Sequence, residues 1–343
     1  MKKDIRSYTK EDLRDFFVAK GQQAFRGNQV YEWLWKKGVH SFDEMTNLSK
    51  ETRAFLEANF VINHIAVDTM QRSQDGTVKN AVRLFDGLVV ESVLIPTDSR
   101  TTACISSQVG CAMGCTFCAT ARLKKQRNLK PDEIYDQVAA INQQSRLYYG
   151  HKLSNIVFMG MGEPLLNYEN VMKSIEMITS DEGLGMSPRR ITLSTVGIPK
   201  MIKRMADEQV KFNLAVSLHS AIDSVRSAMM PVNESNNLDE LMESLQYWHR
   251  KTGNRITFEY IIWKDINDNQ ASIDALVAYC KRVPAKVNLI EYNPIDAGTF
   301  KQASPEMTNR YIAALEQNHI IVNVRRSRGK DIDAACGQLA NKS

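Results

Sequence analysis

Residues 102–118 read Thr-Ala-Cys-Ile-Ser-Ser-Gln-Val-Gly-Cys-Ala-Met-Gly-Cys-Thr-Phe-Cys. The first six, Thr102 to Ser107, have the composition of a short strand, and the residues after them place Cys111, Cys115 and Cys118 in a C-x3-C-x2-C triplet. At this cysteine content such a triplet arises by chance on the order of 0.002 times per chain, so the spacing reads as ligation and not as a disulfide set. A structural zinc site wants four protein ligands, commonly in two paired clusters, and no second C-x2-C or Cys/His pair stands elsewhere in the sequence. Three thiolates suit a 4Fe-4S cluster with one iron left open, which can chelate amino and carboxylate groups and reach low potentials. Of the other cysteines, Cys104 lies on the strand itself, Cys336 near the C-terminus, and Cys280 on the apolar face of residues 275–279, where it reads as core.

Working outward toward the C-terminus, strand-like runs alternate with amphipathic helical ones. The strands are read as Thr102–Ser107, Asn155–Met161, Arg190–Thr195, Phe212–Leu218, Ile256–Ile262 and Lys286–Tyr292. Helical stretches include Asp132–Ser145, Leu238–Lys251 and Ala271–Arg282. Six β-then-α units predict a partial parallel (β/α)6 barrel over residues 99–320, whose sites gather at the C-terminal ends of the strands. In the other direction, His64 to Pro96 changes to short β runs around Asp75-Gly76 and Asp86-Gly87, predicting a β-hairpin connector over 63–98. Residues 1–62 are helical in pattern and read as a small accessory domain, and 321–343 as a C-terminal tail. In Tyr31-Glu-Trp33-Leu-Trp35-Lys-Lys37 the mix of aromatics and basic residues would suit stacking on unpaired bases, but helical spacing favours core packing for the tryptophans.

The 343 residues carry 44 Lys and Arg against 39 Asp and Glu, a net charge of +5, and ordinary globular composition excludes collagen-like, disulfide-scaffold and disordered classes. The start, Met1-Lys-Lys-Asp-Ile-Arg6, is charged and no apolar signal region follows, so a cytoplasmic protein is expected. Basic charge concentrates in residues 119–131 (Arg122, Lys124, Lys125, Arg127, Lys130) and in Arg325-Arg-Ser-Arg-Gly-Lys330, runs that suit nucleic-acid contact as well as solvated loops.

Cys111-Ala-Met-Gly-Cys115-Thr-Phe-Cys118 resembles the signature of radical S-adenosylmethionine enzymes, and Gly160-Met-Gly162-Glu163-Pro164 resembles that superfamily's glycine-rich motif. Glu91-Ser-Val-Leu-Ile-Pro96, Cys104 to Cys111, Arg127-Asn-Leu129, Ser194-Thr-Val-Gly197, Ser217-Leu218-His219 and Ala335-Cys336-Gly337-Gln-Leu339 resemble, in collinear order, the RNA adenine-C2 methyltransferases known as RlmN. One departure stands out: this chain reads Ala121-Arg-Leu-Lys-Lys-Gln126 where the family usually has glycines.

The resemblance implies that Cys111, Cys115 and Cys118 hold a 4Fe-4S cluster and that Gly162, Glu163, Ser194, Ser217, Leu218, His219 and Asn293 contact S-adenosylmethionine, two molecules of which are used per turnover. It further implies that Cys336 takes a methyl group from the first. A deoxyadenosyl radical from the second removes a hydrogen from that methyl, and the carbon radical adds to the base. Cys104 then resolves the covalent adduct through a transient disulfide with Cys336, and Glu91 occupies the proton acceptor position. The plain alternatives are a buried strand residue for Cys104 and a chance thiol for Cys336, against which the functional reading is preferred, while His219 could equally be a satisfied core histidine. The implied substrates are 23S ribosomal RNA near the peptidyl transferase centre and transfer RNA beside the anticodon. An electron donor such as flavodoxin or ferredoxin is needed, and a monomer is expected. Two alternatives stay open: methylation at carbon 8 by the sister family, and a non-catalytic zinc-dependent RNA-binding module.

Overall fold

The computed structural model describes residues 2–295 and 298–341; the last two residues of the expected tail lie outside them. At the N-terminal end, β1 (Lys3–Asp4) pairs in parallel with β2 (Phe60–Val61) and closes a helical unit of α1 (Lys10–Ala19), α2 (Phe25–Glu32) and α3 (Lys50–Asn59). Thr9 and Asp12 form a reciprocal capping box at the start of α1, and Ser49 caps α3. Trp35 is buried there, edge-on to Tyr135 and beneath the Arg6 guanidinium, which also forms a two-pronged ion pair with Asp136. The core reading of that tryptophan therefore holds.

β3 (Ala66–Arg72), β4 (Val78–Arg83) and β5 (Val89–Thr97) form an antiparallel meander whose two turns fall at Asp75-Gly76 and Asp86-Gly87. This segment joins the main sheet directly, because β5 pairs antiparallel with β6 (Arg100–Cys104). A two-residue pair, β7 (Gln108–Val109) with β8 (Arg127–Asn128), closes the base of the cysteine loop, and α4 (Pro131–Tyr149) follows.

The chain then runs β9 (Asn155–Phe158), α5 (Tyr168–Thr179), β10 (Ile191–Thr195), α6 (Pro199–Asp207), β11 (Asn213–Ser217), α7 (Asp223–Met229), the single turn α8 (Val232–Ser235) and α9 (Leu238–Thr252). After these come β12 (Ile256–Ile261), α10 (Gln270–Cys280), β13 (Ala285–Ile290), α11 (Pro305–Gln317) and β14 (Ile321–Arg325). The sheet has ten strands in the order β14-β13-β12-β11-β10-β9-β6-β5-β4-β3, parallel from β6 through β14.

Seven strands are thus parallel where the sequence predicts six, and the additional one, β14, occupies the start of the expected tail. Its apolar residues carry no burial signal because it is an edge strand, with Ile321 and Val324 about half exposed. The barrel is open, and several strands stop short of their expected ends. β6 ends at Cys104 and β9 at Phe158, so Ile105–Ser107 and Met159–Met161 are loop. No helix among the described residues is long and apolar enough to cross a membrane.

Candidate active site

The cysteine loop is built by backbone approach. Gly110 adopts a left-handed φ of +73°, and a Cβ there would stand 2.4 Å from the Lys124 carbonyl oxygen, so only glycine lets the two arms of the loop meet. The loop is pinned on three sides. Cys111 N donates to Leu123 O, Thr116 N to Met229 O at the end of α7, and Ala119 N to Gly337 O in the tail.

Cys111, Cys115 and Cys118 line one cavity, of about 980 Å³ including its solvent-open mouth, together with Gly160, Gly162, Glu163, Ser194, Ser217, His219, Glu259, Asn293 and Cys336. The fold thereby gathers residues from six strand ends spread over more than 200 positions. Burial pushes the Cys111 thiol up to about 11 and Cys115 further still, so only a bound cation would hold them as thiolates. Among the described residues no three His, Cys, Asp or Glu side chains converge as ligands of a single metal ion. Three thiolates around one cavity fit a cluster in which each thiolate takes its own iron.

Gly162 has a φ of +95°, but the space beside it is filled by the protein's own Gln108, whose side chain would lie 2.5 Å from any Cβ added there, and Gly160 is likewise backed by Ile105 O. These glycines let the β9 loop pack on the β6 loop while both remain in the lining of the cysteine cavity. Glu163 is buried, accepts Leu165 N at 3.0 Å and Val196 N at 2.9 Å, and burial raises its carboxyl to about 7. His219 takes a left-handed φ of +58°, accepts from Ile261 N through Nδ1 (3.3 Å), and sits edge-on to Phe117 and Trp263. Burial, with the Arg226 charge, holds the imidazole at about 3, so it is neutral. Leu218 is fully buried in the core and does not line the cavity; its carbonyl accepts from Arg226.

Cys336 belongs, with Cys118, Gly160 and Gly337 among others, to the wall shared by this cavity and a second one, which is lined further by Cys104, Arg325, Arg326, Ser327 and Arg328. It is open to the cavity space yet enclosed by protein, so burial raises its thiol while Arg325 opposes. Burial, then the Cys336 charge, pushes Cys104 up to about 12. Asn293 Nδ2 donates to Cys336 O at 3.2 Å, while its Oδ1 has no partner.

Glu91 lines neither cavity. It is 1% exposed; Oε2 accepts Ala340 N and Asn341 N, and Oε1 lies 3.2 Å from Lys79 Nζ. Lys124 and Lys125 are exposed, but Arg127 is spent on a bidentate pair with Glu133 and a third contact to Asp86. Cys280 is core. Sequence reasoning missed two residues. Arg226 is a fully buried guanidinium bonded to the Leu218 and Val196 carbonyls and to Asn233. Glu259 was hidden in an apolar strand, where its one signal was a lone carboxylate in Thr-Phe-Glu-Tyr-Ile-Ile.

Residues 3–62 match the ribosomal RNA large subunit methyltransferase N-terminal domain, and residues 105–276 the radical SAM superfamily. The chain is 70% identical over 341 residues, 99% of its length and 98% of the relative's, to a probable dual-specificity RNA methyltransferase RlmN of Flavobacterium johnsoniae. It is 43% identical, over 98% of its length and 94% of the relative's, to the dual-specificity RNA methyltransferase RlmN of Nitratidesulfovibrio vulgaris. The crystal structure of a radical SAM methyltransferase from Sphaerobacter thermophilus superposes with a TM-score of 0.93 at 38% identity, covering 99% of this chain and all of that one. Full-length identity at this level, with the site assembled on the same fold, means that this chain belongs to the RlmN family of dual-specificity RNA methyltransferases, radical SAM enzymes that work with S-adenosylmethionine and a 4Fe-4S cluster.

Proposed function

We propose that this chain methylates carbon 2 of an adenosine in 23S ribosomal RNA and in transfer RNA, by way of a methyl group carried on Cys336. The supporting observation is the place of Cys336, in the wall shared by the cysteine-lined cavity and the cavity holding Cys104 and the Arg325–Arg328 run. Carbon 2 of adenine is electron-poor, so a polar transfer from a sulfonium would fail there.

Cys111, Cys115 and Cys118 would hold the cluster, which supplies the electron that cleaves S-adenosylmethionine. Glu163, in the same cavity lining as Cys111 and Cys115, would accept from the cofactor's ammonium, with Gly162, Ser194, Ser217, His219 and Asn293 as the other contacts. Neutral His219 offers no competing charge. The Leu218 side chain is core, so a contact from that residue would have to come from its backbone.

The Cys336 thiol, once it has given up its proton, attacks the methyl carbon of one S-adenosylmethionine, so that the Cys336 S–C bond forms as the sulfonium S–C bond breaks and S-adenosylhomocysteine leaves. Arg325 favours the thiolate. Once the methyl carbon is joined to the base, the Cys104 thiolate attacks the Cys336 sulfur. By then the adduct must have given up one electron, which the cluster would take back, and the carbon-2 proton. The S–S bond forms as the S–C bond breaks, the released methylene carbon keeps the bonding pair and takes a proton to become the methyl, and an external dithiol must later reduce the disulfide. Glu91 is the proton acceptor by resemblance, and it can take that part only when the tail amides of Ala340 and Asn341 leave its carboxylate. The N-terminal unit and the basic Arg122–Lys125 loop are assigned to RNA contact, with a flavodoxin or ferredoxin as electron source, in a cytoplasmic monomer.

The test is nucleoside analysis of RNA incubated with the reduced, cluster-loaded protein. 2-Methyladenosine is expected, with one S-adenosylhomocysteine and one 5′-deoxyadenosine formed per methyl. 8-Methyladenosine would overturn the position, and no methylated adenosine would overturn the reading.

A further inference from the structure

Glu259 occupies the fourth position of β12, in register with Ser217 on β11 and Asn288 on β13, and Asn288 is in register with Asn323 on β14. Register partners on adjacent parallel strands point to the same face, so these four polar side chains form a row across the sheet. The hydrogen bonds of the row run one way. Asn323 Nδ2 donates to Asn288 Oδ1 at 3.2 Å, and Asn288 Nδ2 donates to Glu259 Oε1 at 2.8 Å. The row ends at Glu259 Oε2, which is buried and has no partner. The residue is 3% exposed and lines the cysteine cavity; Arg325, at 3.7 Å from Oε1, is too far for a hydrogen bond.

A buried acceptor left unpaired carries its full desolvation cost, and such groups in a folded protein ask for a ligand or a bound donor. The same cavity holds a second unpaired acceptor, Asn293 Oδ1. The two carboxylates of the lining differ in their partners: Glu163 accepts from the Leu165 and Val196 amides, whereas Glu259 keeps Oε2 unpartnered. The Glu259 end offers acceptors to a group rich in O–H and N–H donors, which describes a nucleoside with its ribose hydroxyls and exocyclic amine.

We propose that Glu259 is a nucleoside-binding residue whose free Oε2, at the end of the Ser217–Asn323 row, accepts a hydrogen bond from the nucleoside bound beside Cys336. The nucleoside belongs either to the cofactor or to the target RNA, and the inference rests on the function proposed above.

The test uses cluster-loaded Glu259→Gln, checked for iron-sulfur absorbance and melting temperature, in two arms: calorimetric titration with S-adenosylhomocysteine, and filter binding of a 23S rRNA hairpin fragment. A loss of tenfold or more in the first arm alone assigns the donor to the cofactor, and in the second alone to the target adenosine. Glu259→Asp, which keeps the charge but withdraws the free oxygen by a methylene, is expected to lose affinity in the same arm and serves if the glutamine variant does not fold. Wild-type affinity in both arms for either folded variant overturns the inference. Formation of 2-methyladenosine by the wild-type protein is scored separately, so a failure of the proposed reaction is distinguishable from a failure of the Glu259 assignment.

Discussion

The carboxylate of Glu91, on β5, accepts the backbone amide of Ala340 at 2.8 Å. Through that bond, a residue early in the chain holds the segment that carries Cys336 against the mouth of the barrel. Thr120 Oγ1 bonded to Leu339 O, and Asp331 bonded to Ser73 and Gln74, fasten the same segment at other points.

Glu91→Gln is therefore expected to loosen the tail. It leaves Lys79, itself 5% exposed, without its counter-charge, a loss of about 3 kcal/mol or more for a broken buried pair. The measurement is the alkylation rate of Cys336 in the native state alongside the melting temperature. Faster labelling of Cys336 with unchanged labelling of core Cys280 is the expected pattern, and an unchanged Cys336 rate would show that Glu91 does not hold the tail.

Cys104 and Cys336 line one cavity, so the two-thiol exchange has a place to occur. Cys104→Ala is expected to copurify with covalently attached RNA, because the adduct on Cys336 has no exit. Cys336→Ala should carry none, and the double variant should match Cys336→Ala. RNA that denaturant alone strips from Cys104→Ala, or normal turnover by that variant, would return Cys104 to a packing role.

Lys124 and Lys125 are exposed on the loop whose Leu123 carbonyl holds Cys111. Arg127, in contrast, is committed to Glu133 and Asp86. Replacing both lysines with Ala is expected to weaken RNA binding evenly across sequences and to reduce the slope of log K against log salt by about 2 at most. The readout is binding at several salt concentrations; an identical slope would place the RNA elsewhere.

His219 has its pKa depressed from 6.5 to about 3 by burial. Below pH 6.5 the unfolded chain takes up a proton that the folded state refuses, so stability is full above that pH and falls as pH drops toward 3, by up to about 1.4 kcal/mol per pH unit. Glu163, raised from 4.5 to about 7, acts with the opposite sign between those values. The check is the difference between wild type and His219→Gln in denaturant melts from about pH 7 down to about pH 4, where the unfolded imidazole takes up its proton and the folded one does not, and where the Glu163 contribution, common to both proteins, cancels. A difference that does not change with pH would show that His219 is not neutral in the fold.

Local spacing alone makes much of this protein legible. The cysteine triplet, the alternation of β and α runs and the Asp-Gly turns are all set by residues within a few positions of one another, and each has a physical period or geometry that a sequence displays directly. The edge strand β14 escapes such a reading because half-exposed edges carry little hydrophobic pattern. What Glu91, Glu259 and Arg226 do was decided only by tertiary contact. Their partners are Ala340 for Glu91, Asn288 for Glu259 and Val196 for Arg226, across 249, 29 and 30 positions respectively. A charged side chain in a strand or helix reads as solvated unless the fold buries it, and whether it is paired, clamped or left with a free oxygen depends on which distant strand arrives beside it. Sequence thus determined the chemistry this chain can hold, and packing determined which groups face it.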